Sequence, residues 1–302
     1  MKVALCFIIS YDHKLNKEEF WKKWIESNQD IINVYFHYKD YDKIKSEWIK
    51  EHALPEEYIV KTSYYHVVPA YMSILSYAAI TDQDNRWFCM LTDSCVPIIS
   101  PSKFRRLFFQ NYNSSVMRWR KPWWNVTLQK RANLNLLPED FHLGNDPWFI
   151  MKREDVVLFM HFIQNQRKMY DLVCKGGLAN ESIFAIILQS YKKLNNHLNI
   201  KNKITHLADW DRVSSPTSPY IFKDGTEENI NWIQTSIEKN QFAMFLRKVS
   251  PDFPDDVLID FINKKDDDLI QNMNYYTWSI LGVEFMYFLF IITILFVSQR
   301  FY

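Results

Sequence analysis

The chain is 302 residues long, with 36 Lys and Arg against 35 Asp and Glu and a net charge of +1. That length suits one large or two ordinary domains, and 48% apolar with 24% charged residues exclude a wholly disordered chain. Without a basic excess, broad electrostatic capture of nucleic acid is excluded, and no nucleic-acid partner is expected. Only 5 residues are Gly against an aromatic share of 17%, and neither GxGxxG nor GxxxxGK[ST] occurs, which leaves no glycine-rich phosphate cradle.

Apolar runs and helical patterns alternate through the first hundred residues. Val3–Ile9 reads as a buried strand. Glu18–Asn28 reads as a helix, because Phe20, Trp21, Trp24 and Ile25 share one face. Ile31–Tyr38 follows as a strand, Asp42–His52 as a helix, Tyr58–Lys61 as a short strand, Val68–Thr81 as a helix and Trp87–Leu91 as a buried strand. Strand–helix alternation with short connections predicts an α/β fold with a mostly parallel central sheet flanked by helices. Ligands of such sheets bind beyond the carboxyl ends of the strands, so Ser10–Lys17, Lys39–Tyr41 and Thr92–Ser100 form the expected functional rim. Asn111–Asn145 has no clear period and carries Trp119, Trp123 and Trp124 interleaved with Arg118, Arg120 and Lys121. Beyond it, Trp148–Met151 reads as a strand, Arg153–Gln166 and Glu181–Leu194 as helices, and Ile204–Ala208 and Gln241–Leu246 as strands. A final helix starts at Pro251–Pro254.

Cys6, Cys89, Cys95 and Cys174 form no CxxC pair and have no zinc spacing, so they read as reduced and mostly buried. Trp278–Val297 carries a single charge, Glu284. As a helix it would span about 30 Å, the thickness of a bilayer core, and it reads as a single-pass C-terminal membrane anchor. Lys264 and Lys265 before it favour a cytosol-facing catalytic domain. The alternative is an aromatic partner surface on a soluble protein.

Four stretches carry candidate chemistry. Asp40/Asp42, Asp82/Asp84 and Asp209/Asp211 have Asp-x-Asp spacing, which alone is a weak metal signal; no metal site is expected. Leu91–Ile98 runs from a buried strand into Thr92, Asp93 and Ser94, which fits either a strand-end turn or a substrate loop. Gly176-Gly177 precedes Glu181, which fits either a helix-capping carboxylate or a group able to take a proton from a hydroxyl. Arg247 and Lys248 end a strand and are either solvated or placed to neutralise a diphosphate.

In this order the stretches resemble the core-2/I-branching β-1,6-N-acetylglucosaminyltransferases and the related xylosyltransferases. Val34-Tyr-Phe-His37 resembles the family's YVH strand, Leu91-Thr-Asp-Ser-Cys-Val-Pro-Ile98 its LSxSCIPL signature, and Pro147-Trp-Phe-Ile-Met-Lys-Arg153 its QWFxLxR segment. Ala179-Asn-Glu181-Ser-Ile-Phe resembles PDEYL, Thr205-His-Leu-Ala-Asp209-Trp210 resembles TxVDW, and Phe245-Leu-Arg-Lys248 resembles FARKF. The resemblance spans residues 2–250. It implies a GT-A fold and an inverting, metal-independent glycosyltransferase that needs no cofactor beyond its UDP-sugar substrate. The donor sugar would be N-acetylglucosamine first and xylose second, and the acceptor a glycan or glycoprotein hydroxyl. Carried over, Glu181 is the general base, and Lys248 with Arg247 holds the donor diphosphate, helped by Asp93, Ser94 and His37. Trp148, Trp210 and Asp209 are expected on the acceptor side, with Trp119–Trp124 as a further sugar-stacking face.

Two departures stand out: the candidate anchor is C-terminal rather than N-terminal, and Ser218-Pro219 replaces the family's HP after DW. The expected organisation is a transferase domain over 1–250, a helical linker over 251–274 and a membrane helix over 275–299. The rival from another class is a catalytically inactive, membrane-anchored carbohydrate- or partner-binding protein on the same scaffold. Of three glycosylation sequons, at Asn113, Asn125 and Asn180, the last abuts the proposed base, which favours a cytosolic domain.

Overall fold

The computed structural model describes residues 1–63, 65–194, 200–215 and 217–263. Its first strand, β1 (Lys2–Ile8), is buried on both faces, as a central parallel strand must be. It is flanked by β2 (Ile32–His37) and β3 (Asn85–Thr92), both parallel to it, with Phe7 opposite Phe36 on one side and Leu91 on the other. Between them run α1 (Glu18–Glu26), the short α2 (Glu47–Glu51) and α3 (Val68–Thr81). Beyond β3, the sheet continues through β8 (Ile150–Lys152), antiparallel, then β5 (Ser115–Val116) and β9 (Ile200–Lys201), giving the order β2-β1-β3-β8-β5-β9. The fold is therefore mixed α/β, a central sheet with helices packed on it, as the alternation predicts.

The remaining elements are β4 (Val96–Pro97), α4 (Pro101–Asn111), β6 (Trp119–Arg120), β7 (Gly144–Asn145), α5 (Arg153–Asn165), α6 (Arg167–Lys175), α7 (Ile183–Ser190), β10 (His206–Ala208), α8 (Glu227–Lys239), β11 (Phe245–Arg247) and α9 (Asp255–Asn263). β10, β11 and β4 form a second small sheet, and β6 pairs with β7 as a ribbon. Two tryptophans of α1 tie this second sheet to the first. Trp21 Nε1 donates to Cys95 O at 2.9 Å and Trp24 Nε1 to Ile99 O at 2.8 Å. Both indoles are fully buried, so each donor satisfies a loop carbonyl that burial would otherwise leave unpaired. The Thr92–Ser100 rim loop is thus fixed from beneath by one helix face.

Three expectations change. Tyr58–Lys61 is not a strand: Glu56–Tyr58 forms a 3-10 turn, and Val60 N–H donates to His37 Nε2 at 3.3 Å instead of entering a ladder. The Asp42–His52 helix shrinks to a 3-10 turn at Tyr41–Lys43 and α2, because Asp40 and Ser46 each cap their own short element. Glu181 does not lie in the first turn of a helix. It ends a 3-10 turn, Ala179–Glu181, one residue before α7. The compact unit extends past Ser250 to Ile262, because Leu258 and Phe261 of α9 pack into the cluster around Phe222 and Leu246. The expected linker beyond Asn263 and the span Trp278–Val297 lie outside the described residues. Among the described residues, no helix is long and apolar enough to cross a membrane.

Trp21→Ala removes a fully buried indole and strands the Cys95 carbonyl. The expected loss in unfolding free energy is about 3–5 kcal/mol, read from urea denaturation.

Candidate active site

The three predicted rim loops meet. Asp93 Oδ2 accepts from Ser10 N–H at 2.9 Å, and Asp93 O accepts from Asn16 N–H at 2.9 Å, which closes the first loop on the third. His13 Nε2 accepts from Asp40 N–H at 3.1 Å, which closes the first on the second. Asn16 also donates through Nδ2 to Val249 O at 2.7 Å, and Val249 N–H donates to Ser94 O at 2.9 Å, so the segment after β11 joins the same rim. Asn16 stands outside every motif in the sequence and is found only by this geometry. His37, at the carboxyl end of β2, is buried. Burial, reinforced by the Lys39 cation, pushes its imidazole down to about 4, so it is neutral at pH 7 and accepts from Val60.

Glu181 reaches the site through backbone packing. Leu178 has a left-handed φ of 58° and is held by its N–H to Tyr65 O at 2.9 Å. Gly176 passes so close to the neighbouring segment that a Cβ would lie 2.4 Å from Asn133 N, so only glycine fits there. The adjoining Gly177 bridges to Arg131 along the backbone. That bridge sets the Arg131 guanidinium 3.1 Å from Glu181 Oε2, with the two side chains 31% and 22% exposed. Burial raises the Glu181 carboxyl above its ordinary range; Arg131 opposes the rise and the Asp146 carboxylate adds to it. Asp146, also raised by burial, faces Arg118 and Arg120.

On the other side stand Arg247 and Lys248. Arg247 is 5% exposed, and its guanidinium carbon lies 3.4 Å from the centroid of the Trp148 ring. Lys248 is half-buried and donates from Nζ to Ser218 Oγ at 2.9 Å. Burial and then the Arg247 cation lower its ammonium below the ordinary lysine range. Tyr71 of α3 is buried, which raises its phenol above the ordinary range, with the Arg247 cation opposing the rise and the Glu181 carboxylate adding to it. Asn180 Oδ1, Ser182 Oγ, Trp124 Nε1 and His206 Nε2 are buried polar atoms with no hydrogen-bond partner. Each belongs to a residue beside Glu181, Arg131 or Arg247; Arg212 Nη2 and Asn229 Oδ1, which are equally unmet, lie with Asp209 and Asp224 instead.

Arg247 and Lys248 sit with Trp148 and Ser218, Glu181 pairs with Arg131, and the other predicted residues are placed as follows. Asp93 and Ser94 lie on the rim but spend their polar groups on the loops. Asp209 is 1% exposed, and its carboxylate receives Arg212 Nε at 2.7 Å and the backbone N–H groups of Asp211 and Arg212, so it fixes its own turn rather than an acceptor. Trp148 has one face covered by Arg247, whereas Trp210 is 51% exposed. The Trp119–Trp124 stretch also holds cations: Arg120 lies 4.6 Å over Trp123 and Arg131 lies 5.2 Å over Trp124. Asp82 pairs with Lys2 and Asp40 with Lys43, both at 2.9 Å. Among the described residues, no three His, Cys, Asp or Glu side chains gather as metal ligands. A cavity of about 530 Å³ between α3 and α6 contains none of the predicted site residues, and its one carboxylate, Asp171, is paired with Arg167 at 2.9 Å.

Residues 5–234 match the family model of the Core-2/I-Branching enzymes, which covers most of the chain. The chain belongs to that family, a family of glycosyltransferases. No curated protein matches it. Among solved structures it is similar to 4-diphosphocytidyl-2C-methyl-D-erythritol synthase from Anaerococcus prevotii, at 10% identity and a TM-score of 0.30, over 65% of this chain and 99% of that one.

Arg131→Gln removes the charge that opposes burial of Glu181. The Glu181 carboxyl is expected to titrate at higher pH than in the unaltered chain, followed by carbon-13 NMR of the labelled side chain; an unchanged or lower midpoint would show that the pair does not set its protonation.

Proposed function

We propose that the protein is an inverting, metal-independent glycosyltransferase of GT-A type that moves a sugar from a UDP-sugar to an acceptor hydroxyl. The acceptor O–H proton passes to the Glu181 carboxylate as its oxygen bonds the anomeric carbon. The bond from that carbon to the UDP oxygen breaks on the opposite face. The products are the inverted glycoside, UDP and a proton on Glu181. N-acetylglucosamine is the first choice of sugar and xylose the second, with a glycan or glycoprotein as acceptor.

The observation that carries this reading is the match of residues 5–234 to the Core-2/I-Branching enzymes, within which Glu181 stands as a half-buried carboxylate 3.1 Å from Arg131. A carboxylate lifted by burial is better matched to taking a proton near neutral pH than a solvated one, and a positioned base contributes about 10²–10⁴-fold. Lys248 is the less buried member of the cationic pair and would contact the diphosphate. Arg247, stacked beneath on Trp148, would add charge from a buried position. Preorganised cations of this kind stabilise a leaving group without solvent reorganisation. His37, Asp93 and Ser94 would border the nucleotide, and Trp210 would offer a face to the acceptor. Asn180 is 9% exposed, a position that a glycan could not share with the folded site. The apolar run Trp278–Val297 supports attachment of this unit to a membrane, with the catalytic side facing the cytosol.

Glu181→Gln is expected to lower kcat by about 10²–10⁴-fold in a UDP-release assay while leaving UDP affinity unchanged. A wild-type rate would remove Glu181 from the chemistry, and no UDP release from the unaltered chain with any donor would favour the rival binding protein. UDP affinity should weaken as pH rises through a lysine value below the ordinary one, because Lys248 must be charged to bind; Lys248→Arg should hold affinity to higher pH. Activity is expected to survive EDTA. Loss with EDTA and recovery with Mn²⁺ would overturn the metal-independent step.

A further inference from the structure

Residues 113–138 contain five cations, Arg118, Arg120, Lys121, Lys130 and Arg131, and no carboxylate. Like charges on one surface repel, and exposed cations add little to stability. Among the described residues, no carboxylate makes an ion pair with Arg118, Arg120 or Lys121, and all three are exposed. Their placement is nonetheless fixed. Arg120 belongs to β6, which pairs with Gly144 of β7, and a Cβ on Gly144 would lie 2.7 Å from the Trp123 ring, so the indole packs directly on the ribbon. Arg120 then lies over Trp123, Trp123 meets Trp124 edge-on at 4.7 Å, and Arg131 lies over Trp124 and reaches Glu181 at 3.1 Å. A continuous ladder of guanidinium and indole groups therefore joins the surface cations to the carboxylate.

The two sets of cations are placed differently. Arg247 stacks on Trp148 beside Lys248, whereas Arg120 is joined to Glu181 through Trp123, Trp124 and Arg131. The donor diphosphate is assigned to the first set, which leaves the second for the other substrate. We infer that the acceptor is an anionic glycan, bearing a carboxylate or sulfate ester close to the hydroxyl that is glycosylated, and that Arg118 and Arg120 receive that group, with Lys121 beside them. A guanidinium fork matches either anion through two parallel N–H···O bonds. This rests on the reading of Glu181 as the base and names the substrate class for that site.

The test uses the full chain in neutral detergent and three fluorescent hexasaccharides: hyaluronan, with carboxylates only; a heparin fragment, with sulfates as well; and neutral chitohexaose. The unaltered protein is expected to bind an anionic probe at least tenfold tighter than chitohexaose, with the preference shrinking as salt rises. Whichever anionic probe binds tighter identifies the recognised group. Arg118→Gln/Arg120→Gln should abolish the preference, leave chitohexaose binding unchanged and leave the melting temperature within a few degrees. Glu181→Gln should keep the preference, so loss of the base assignment and loss of this one are read separately. The inference is overturned if the double variant keeps the preference, if the preference of the unaltered chain is independent of salt, or if Lys248→Gln removes it as fully, which would place the probe in the diphosphate site. It is equally overturned if phosphatidylserine vesicles bind through Arg118 and Arg120 while the hexasaccharides do not compete, which would make the patch a lipid surface.

Discussion

The site is organised by guanidinium groups lying on indole faces. Trp148 carries Arg247, Trp124 carries Arg131 and Trp123 carries Arg120, at 3.4, 5.2 and 4.6 Å. Each such contact is worth about 0.5–2 kcal/mol, more when water is excluded. Its value here is positional. An arginine fixed by an aromatic ring keeps its full positive charge, whereas one fixed by a carboxylate is neutralised in the fixing. A protein with a 17% aromatic share and a net charge of +1 can build local positive fields in this way without becoming basic overall.

That arrangement explains the balance at Glu181. Burial disfavours its charged form, and Asp146 adds to the effect, while Arg131 works against both. Any one of these alone would give either an inert acid or an inert anion. Together they leave a carboxylate whose protonation is sensitive to the position of one guanidinium, and that guanidinium is set by Trp124 and by the backbone bridge to Gly177. Gly176 thus serves close backbone approach rather than phosphate binding, in keeping with the absence of any glycine-rich nucleotide motif in the chain.

Much of this was legible in the sequence. The β1–α1–β2 start, the full extent of Val68–Thr81 as α3 and the meeting of the three rim loops followed from periodicity and the rule for parallel sheets. α4, α6 and α8 lie outside the predicted elements, although Ser100-Pro101 and Thr226-Glu-Glu228 are helix-start signals. The motif residues Glu181, Arg247 and Lys248 were legible by resemblance, but their surroundings were not. Arg131 lies 50 positions from Glu181, and Asn16 lies 233 from Val249; no local pattern links such pairs. Composition shows that an indole is present, but not which of its faces is already occupied, as Arg247 over Trp148 illustrates.

Tyr71 shows how the core supports the segment that carries Glu181. It belongs to α3, whose Val68–Thr81 register is fixed by burial of Ala70, Ile74, Leu75 and Ala78. From that register its ring meets Phe149 and Phe184 at 6.3 and 5.6 Å between centroids, and Phe184 lies in the first turn of α7, three residues after Glu181. A shift of α3 by one residue would rotate Tyr71 about 100° around the helix and out of that contact. A substitution in α3 can therefore disturb the start of α7, and with it the placement of Glu181, without touching a charged group.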